Sequence, residues 1–197
     1  TNLTDGMNGL LSFNIITQLS TVLLLSIYFD DFLFFKLSIV FLIPIMIFIF
    51  FNFPFGKIFL GDLGAYFYGF IISLLIIYFF GKYNELFSWF AVLILIIPSF
   101  ETLFSITRRK LLSRTNPFKA DNAHLHSYIY KFFTKKIKNE LANPLVTIIY
   151  LPVNLIIFIS IFFYQQISIY FLLLIIILII FLYTFAYQLL KKNLHEK

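Results

Sequence analysis

One carboxylate, Asp62, stands in the stretch Asn52 to Gly64 (NFPFGKIFLGDLG), a polar, glycine-bearing interruption between two long apolar runs. Gly61 precedes it, Gly64 follows, and Lys57 lies five residues upstream. A carboxylate in a loop that opens a helix can cap that helix. It can also hold a divalent cation against a phosphate, because Mg2+ takes one or two carboxylates and completes its shell with phosphate oxygens. The same choice arises at Asp5-Gly6-Met7-Asn8-Gly9, where a cap competes with an anion site at a helix N-terminus. Glu101 is an ionisable group close to the membrane, four residues before Ser105 and seven before Arg108, and is expected to pair with Arg108 at the interface. His124 and His126 follow Asp121 in a basic segment. Their i, i+2 spacing is expected to put them on different faces of a helix, unlike the i, i+4 pair that grips zinc. Beside Arg114 and Lys119 they suit phosphate binding or proton handling, set against a plain solvated basic loop. No Ser-His-Asp arrangement, P-loop or dinucleotide fingerprint is present, and with no cysteine there is neither disulfide nor thiolate chemistry.

The elements that must position these residues belong to a membrane. The chain is 61% hydrophobic and 12% charged, with 29 Phe and 12 Tyr among 197 residues and a mean hydropathy of +0.95. Soluble domains are about a quarter charged. Continuous apolar runs long enough for the ~30 Å hydrocarbon core exclude barrel strands and predict an all-α, polytopic bundle. Six spans are expected: Met7 to Phe29, Phe34 to Phe51 with Pro44 as a kink, Ala65 to Phe80, Leu86 to Ser105 with Pro98 inside it, Leu145 to Tyr164, and Ile167 to Leu190. Residues 108–144 form the one long hydrophilic segment of a single domain. If residue 1 is cytoplasmic, 13 of the 15 Lys and Arg residues fall inside, leaving only Lys36 and Lys82 outside. Positive-inside bias thus accounts for the basic segment without nucleic acid. Within it, HLHSYIYKFFTKKIK (124–138) has apolar residues at helical spacing (Leu125, Ile129, Phe132, Phe133, Ile137) and predicts a helix lying on the headgroups. The chain opens Thr1-Asn2-Leu3 without Met or a basic lead-in, which reads as the C-terminal portion of something longer.

Three segments, Asn2 to Leu10 (NLTDGMNGL), Asn52 to Gly64, and Pro98 to His126 (PSFETLFSITRRKLLSRTNPFKADNAHLH), occur in the order seen in polyprenyl-phosphate N-acetylhexosamine-1-phosphate transferases of the glycosyltransferase 4 type. The chain resembles the C-terminal part of one. The resemblance implies Mg2+ (or Mn2+), a UDP-HexNAc donor, a polyprenyl-phosphate acceptor, release of UMP, and a multi-pass protein of the inner (plasma) membrane, active on its cytoplasmic face, with a homodimer left open. It implies Asp62 and Asp5 as catalytic, metal-holding acids of the family's GD and DGxDG motifs. Asn2, Asn8, Lys57, Arg108, Arg109, Asp121, His124 and His126 fall on the substrate side, the histidines matching HxHH. The form of the third segment is closer to enzymes that start O-antigen, enterobacterial common antigen or teichoic acid linkage units than to the peptidoglycan enzyme.

The departures imply limits. Asn8 replaces the second DGxDG acid, Ser127 the last His, Asn122 a common basic residue and Glu101 a more usual Asp. The family's upstream Asp-Asp pair is absent, and Asp30-Asp31 falls on the outer side. This segment alone is therefore expected to be inactive. The competing readings are a degenerate, non-catalytic membrane protein of the same ancestry and, less favoured because the spans look almost wholly apolar, a transporter-like bundle.

Overall fold

A computed structural model describes residues 6–84, 86–110 and 123–195, and among them the regular structure is entirely helical. Eight helices follow in order: α1 (Leu10–Tyr28), α2 (Phe32–Asn52), α3 (Gly61–Lys82), α4 (Ser88–Ile94), α5 (Ile96–Arg108), α6 (Leu125–Thr134), α7 (Asn139–Phe162) and α8 (Ile169–His195). Five are long and apolar enough to cross a membrane, or six if α4 and α5, bent against each other, count as one broken span. The polytopic helical bundle expected from hydropathy is what forms.

Helix α1 is the centre, packed against α2, α3 and α7. Its span is 61% buried, against 17% for α2 and for α8, which turn most of their surface outward to lipid. Being enclosed, α1 can carry polar side chains that lipid would reject. It buries Ser12, Asn14, Gln18, Thr21 and Ser26. The spans are thus less uniformly apolar than hydropathy suggests. The polar content sits where other helices shield it.

The fourth span differs from the continuous helix expected over Leu86 to Ser105. It breaks at Leu95, where α4 and α5 meet at 76°. Pro98 is the cause. Without an N–H it cannot donate to the Ile94 carbonyl, and its ring crowds that carbonyl in a continuous helix. As the third residue of α5 it sits instead in a first turn, where N–H groups lack helical partners anyway. Gln18 of α1 donates its Nε2 to the stranded Ile94 carbonyl at 3.2 Å, which satisfies that acceptor inside the bundle. The almost wholly apolar spans that disfavoured a transporter-like bundle are thus not what forms, although this proline and glutamine explain the break locally. Helix α2, by contrast, runs as one element through Pro44.

Two further boundaries move. The helix predicted over 124–138 is shorter, and Leu125, Tyr128 and Ile129 are buried against α7 and α8 rather than on headgroups. Its lysines, Lys131, Lys135 and Lys136, remain exposed. Helix α7 starts at Asn139 instead of Leu145, because its first turns are held by α1, as described below.

The helix ends sort into two groups. Residues 29–31, 83–84 and 86–87 and the start of the turn after α7 meet at one end. There Asp31 Oδ2 accepts from Lys82 Nζ at 2.6 Å and from Tyr83 Oη at 2.7 Å. Tyr164 packs edge-on to Tyr28 at 4.7 Å. At the opposite, basic end lie the starts of α1, α3, α6 and α7 and the ends of α2, α5 and α8.

Candidate active site

At the basic end the loop 53–60 is tied down by asparagines. Asn52 Oδ1 accepts from the Gly9 N–H at 2.7 Å, and its Nδ2 donates to the Ile58 carbonyl at 2.8 Å. Asn8 Nδ2 donates to the Pro54 carbonyl at 2.8 Å. The Asn8 N–H donates to Asn143 Oδ1 at 2.6 Å, and its carbonyl accepts from Thr147 Oγ1 at 2.6 Å. One residue thus joins the start of α1, the loop and the first turns of α7. Gly56 lies against it with φ +60°, and a Cβ there would come within 2.5 Å of Asn8 Oδ1. Asn8 is 7% exposed and ties these three segments together, at the position where the family resemblance implies a substrate-side group, and its Oδ1 has no hydrogen-bond partner among the described residues.

Helix α1 takes Gly9 as its N-cap and α3 takes Leu60, neither with a side-chain cap bond, so Asp62 is not the N-cap of its helix. Asp62 sits in the exposed first turn of α3, where the helix dipole favours a negative charge. Helical spacing aligns Asp62 with Tyr66, Gly69, Phe70 and Ser73. The last four of these line a cleft of about 670 Å3 between α3 and α5, whose far wall includes Pro98 and Thr102. Asp62, one turn before Tyr66, lies toward the basic-end mouth of the cleft without lining it.

Helix α5 supplies the second cluster. Glu101, Ser105 and Arg108 recur at i, i+4 and i+7, so they form one stripe, and all are buried, Glu101 completely. Glu101 Oε1 meets His126 Nδ1 at 3.1 Å and His124 Nδ1 at 3.6 Å, and Ser105 Oγ meets His124 Nδ1 at 3.1 Å. The carboxylate expected to serve Arg108 thus meets the histidines. Their expected divergence is also overturned: helix α6 begins at Leu125, so His124 precedes it with extended backbone (φ −92°, ψ 156°). The two rings stack, centroids 5.3 Å apart and planes within 4°. Tyr150 of α7 and Tyr183 of α8 bring their hydroxyls near the same carboxylate without reaching hydrogen-bond geometry with it.

The remaining candidates divide. Arg108 and Arg109 are buried at the end of α5, and Lys57 is exposed on the loop. Asn2, Asp5 and Asp121 lie outside the described residues. Among the described residues no three His, Asp or Glu side chains gather as a metal cage. What is present suits Mg2+ better than zinc: Asp62 is an exposed carboxylate, and both histidine Nδ1 atoms face Glu101 or Ser105. Sequence reasoning did not assign Asn52, Asn143 or Thr147 any role. The 101/105/108 spacing was the available signal for Ser105, whereas nothing local announces that Asn143 meets Asn8.

Residues 1–80 match the model of glycosyl transferase family 4. A 132-residue stretch, 66% of the chain, is 35% identical to the "Probable undecaprenyl-phosphate N-acetylglucosaminyl 1-phosphate transferase" of Bacillus subtilis (strain 168). The chain is glycosyl transferase family 4-like over this region. The aligned part spans 37% of that relative's length. The family match includes the Asn8 knot and the start of α3 with Asp62, and ends before α5. No solved structure matches the family 4-type chain.

Proposed function

We propose that the chain forms part of an enzyme that transfers a HexNAc-1-phosphate from a UDP-sugar to undecaprenyl phosphate, on the cytoplasmic face of the plasma (inner) membrane, starting a cell-envelope glycan. The observation that carries this reading is the convergence of His124 and His126 on buried Glu101, beside Arg108 and Arg109, at the same end of the bundle as Asp62. Two anions must meet in such a reaction, and fixed cationic and hydrogen-bonding groups offset their repulsion. An oxygen of the lipid phosphate attacks the β-phosphorus of the UDP-sugar, the new P–O–P bond forms, and the bond to the α-phosphate breaks to release UMP. Asp62, together with Asp5, would hold the Mg2+, whose chemistry is neutralisation of phosphate charge. The two histidines and two arginines bind and orient the diphosphate. The apolar cleft between α3 and α5 receives the acceptor's chain, which places its phosphate at the mouth where Asp62 stands. A soluble donor and a membrane-bound acceptor meet naturally at such an interface.

One observation favours a second reading, a degenerate relative without turnover. Asn8, where the family carries an acid, has its amide nitrogen and both backbone groups engaged in holding the fold. The deciding experiment measures UMP release from UDP-GlcNAc and undecaprenyl phosphate by the protein expressed from its own gene, with Mg2+ present and then chelated. Turnover lost on chelation and in Asp62→Ala is expected. Absence of turnover would establish the degenerate reading, and turnover indifferent to Asp62 would overturn the metal-holding role of that acid.

A further inference from the structure

Glu101 is the most deeply buried charge-bearing group described, with no exposed surface, yet the transfer chemistry assigns it nothing to touch. A carboxylate buried in a membrane bundle is costly unless partners hold it. Its partners are two imidazoles, both approached from the Nδ1 edge. His126 Nδ1 is 3.1 Å from Oε1, and His124 Nδ1 is 3.6 Å from Oε1 and 3.1 Å from Ser105 Oγ. The ring nitrogen that carries the proton is set by what the other nitrogen, or its own partner, binds. A carboxylate opposite Nδ1 keeps a proton there and leaves Nε2 to act on whatever lies beyond. The parallel stacking has the same origin, since two rings that turn one edge to one carboxylate must lie side by side. The spacing of Glu101 and Ser105, one turn apart on α5, provides an anchor for each ring.

We propose that Glu101, with Ser105, is a positioning residue that clamps the Nδ1 edges of His124 and His126 and so turns both Nε2 edges to the phosphates of the donor. The clamp is a property of the four side chains. What the Nε2 edges meet rests on the phosphotransfer reading above.

The test records long-range 1H–15N spectra of the 15N-histidine-labelled chain in nanodiscs, with His195 as the third histidine and internal reference. In the unaltered chain His126 should show a protonated Nδ1. Glu101→Ala should move that proton to Nε2, and Glu101→Gln, whose amide oxygen can still accept from Nδ1, should keep it. Ser105→Ala removes no charged partner and is the variant that survives if Glu101→Ala fails to fold. It should change the His124 signals and spare those of His126. Unchanged ring signals in Glu101→Ala, or at both rings in Ser105→Ala, overturn the clamp. In turnover, Glu101→Ala should lower kcat/KM for the UDP-sugar about tenfold or more, with Glu101→Gln restoring most of it. A shifted tautomer without loss of UMP release would leave the clamp standing and overturn the phosphate-binding role of the histidines.

Discussion

Asn8 donates to a carbonyl, and that fact decides what an acid would do in its place. The Asn8 Nδ2 to Pro54 bond needs a donor, whereas an ionised Asp offers only acceptors and would set charge against the carbonyl. Asn8→Asp, although it recreates the family's motif, should therefore lower stability by about 1–3 kcal/mol, read as a lower Tm in detergent without gain in UMP release. Gly56 is the matching constraint: a left-handed backbone and a Cβ 2.5 Å from Asn8 Oδ1 make Gly56→Ala costly, about 1–2 kcal/mol from the conformation alone. Asp31, at the other end, has a titration consequence. Burial pushes its carboxyl up, but hydrogen bonds from Lys82, Tyr83 and the Phe34 N–H outweigh that and hold it below the ordinary carboxylate value. Its stabilisation is thus fully present above that value and is lost as pH falls through the lower, folded one. The Tm gap between the unaltered protein and Asp31→Asn should stay constant from neutrality down to the ordinary carboxylate value and close below it. A gap that closes nearer neutrality would refute the assignment.

At the scale of elements, the broken span depends on a bargain between Pro98 and Gln18. Removing the glutamine amide strands the Ile94 carbonyl, and side-chain bonds in membrane bundles average about 0.6 kcal/mol with a maximum near 1.7. Gln18→Ala should cost that much in the unaltered background. In Pro98→Ala, residue 98 regains an N–H able to serve Ile94, so the same substitution should cost less. A double-mutant cycle by denaturant unfolding in one detergent measures the difference, and equal costs in both backgrounds would detach Gln18 from the break. Helix α6 makes a related point. Its apolar face matched the pattern of an interfacial helix, but that face meets α7 and α8. Periodicity specifies an apolar face. It does not specify whether lipid or protein covers it.

For the whole molecule, the orientation drawn from positive charge becomes a labelling experiment. Asn84, beside the Asp31–Lys82 pair, and Lys135, after α6, are both exposed and belong to opposite ends. Since the chain has no cysteine, Asn84→Cys and Lys135→Cys each provide a single thiol. In intact cells a membrane-impermeant maleimide should modify the first and spare the second until the membrane is opened. The reverse result would invert the bundle and move Asp62 and the histidines to the outer face.

Composition and hydropathy alone determined that this chain is a helical membrane bundle of five or six apolar spans with a basic end, because a bilayer permits few solutions for runs this apolar. The order of three short motifs was enough to point to its family. Tertiary structure alone decided which polar residues belong together. Glu101 meets histidines 23 and 25 residues away, and Asn8 meets Asn143, because separate helices bring them together at one end of the bundle. No local pattern encodes such pairings. They arise where buried polar groups, denied water by the surrounding lipid and protein, must find one another.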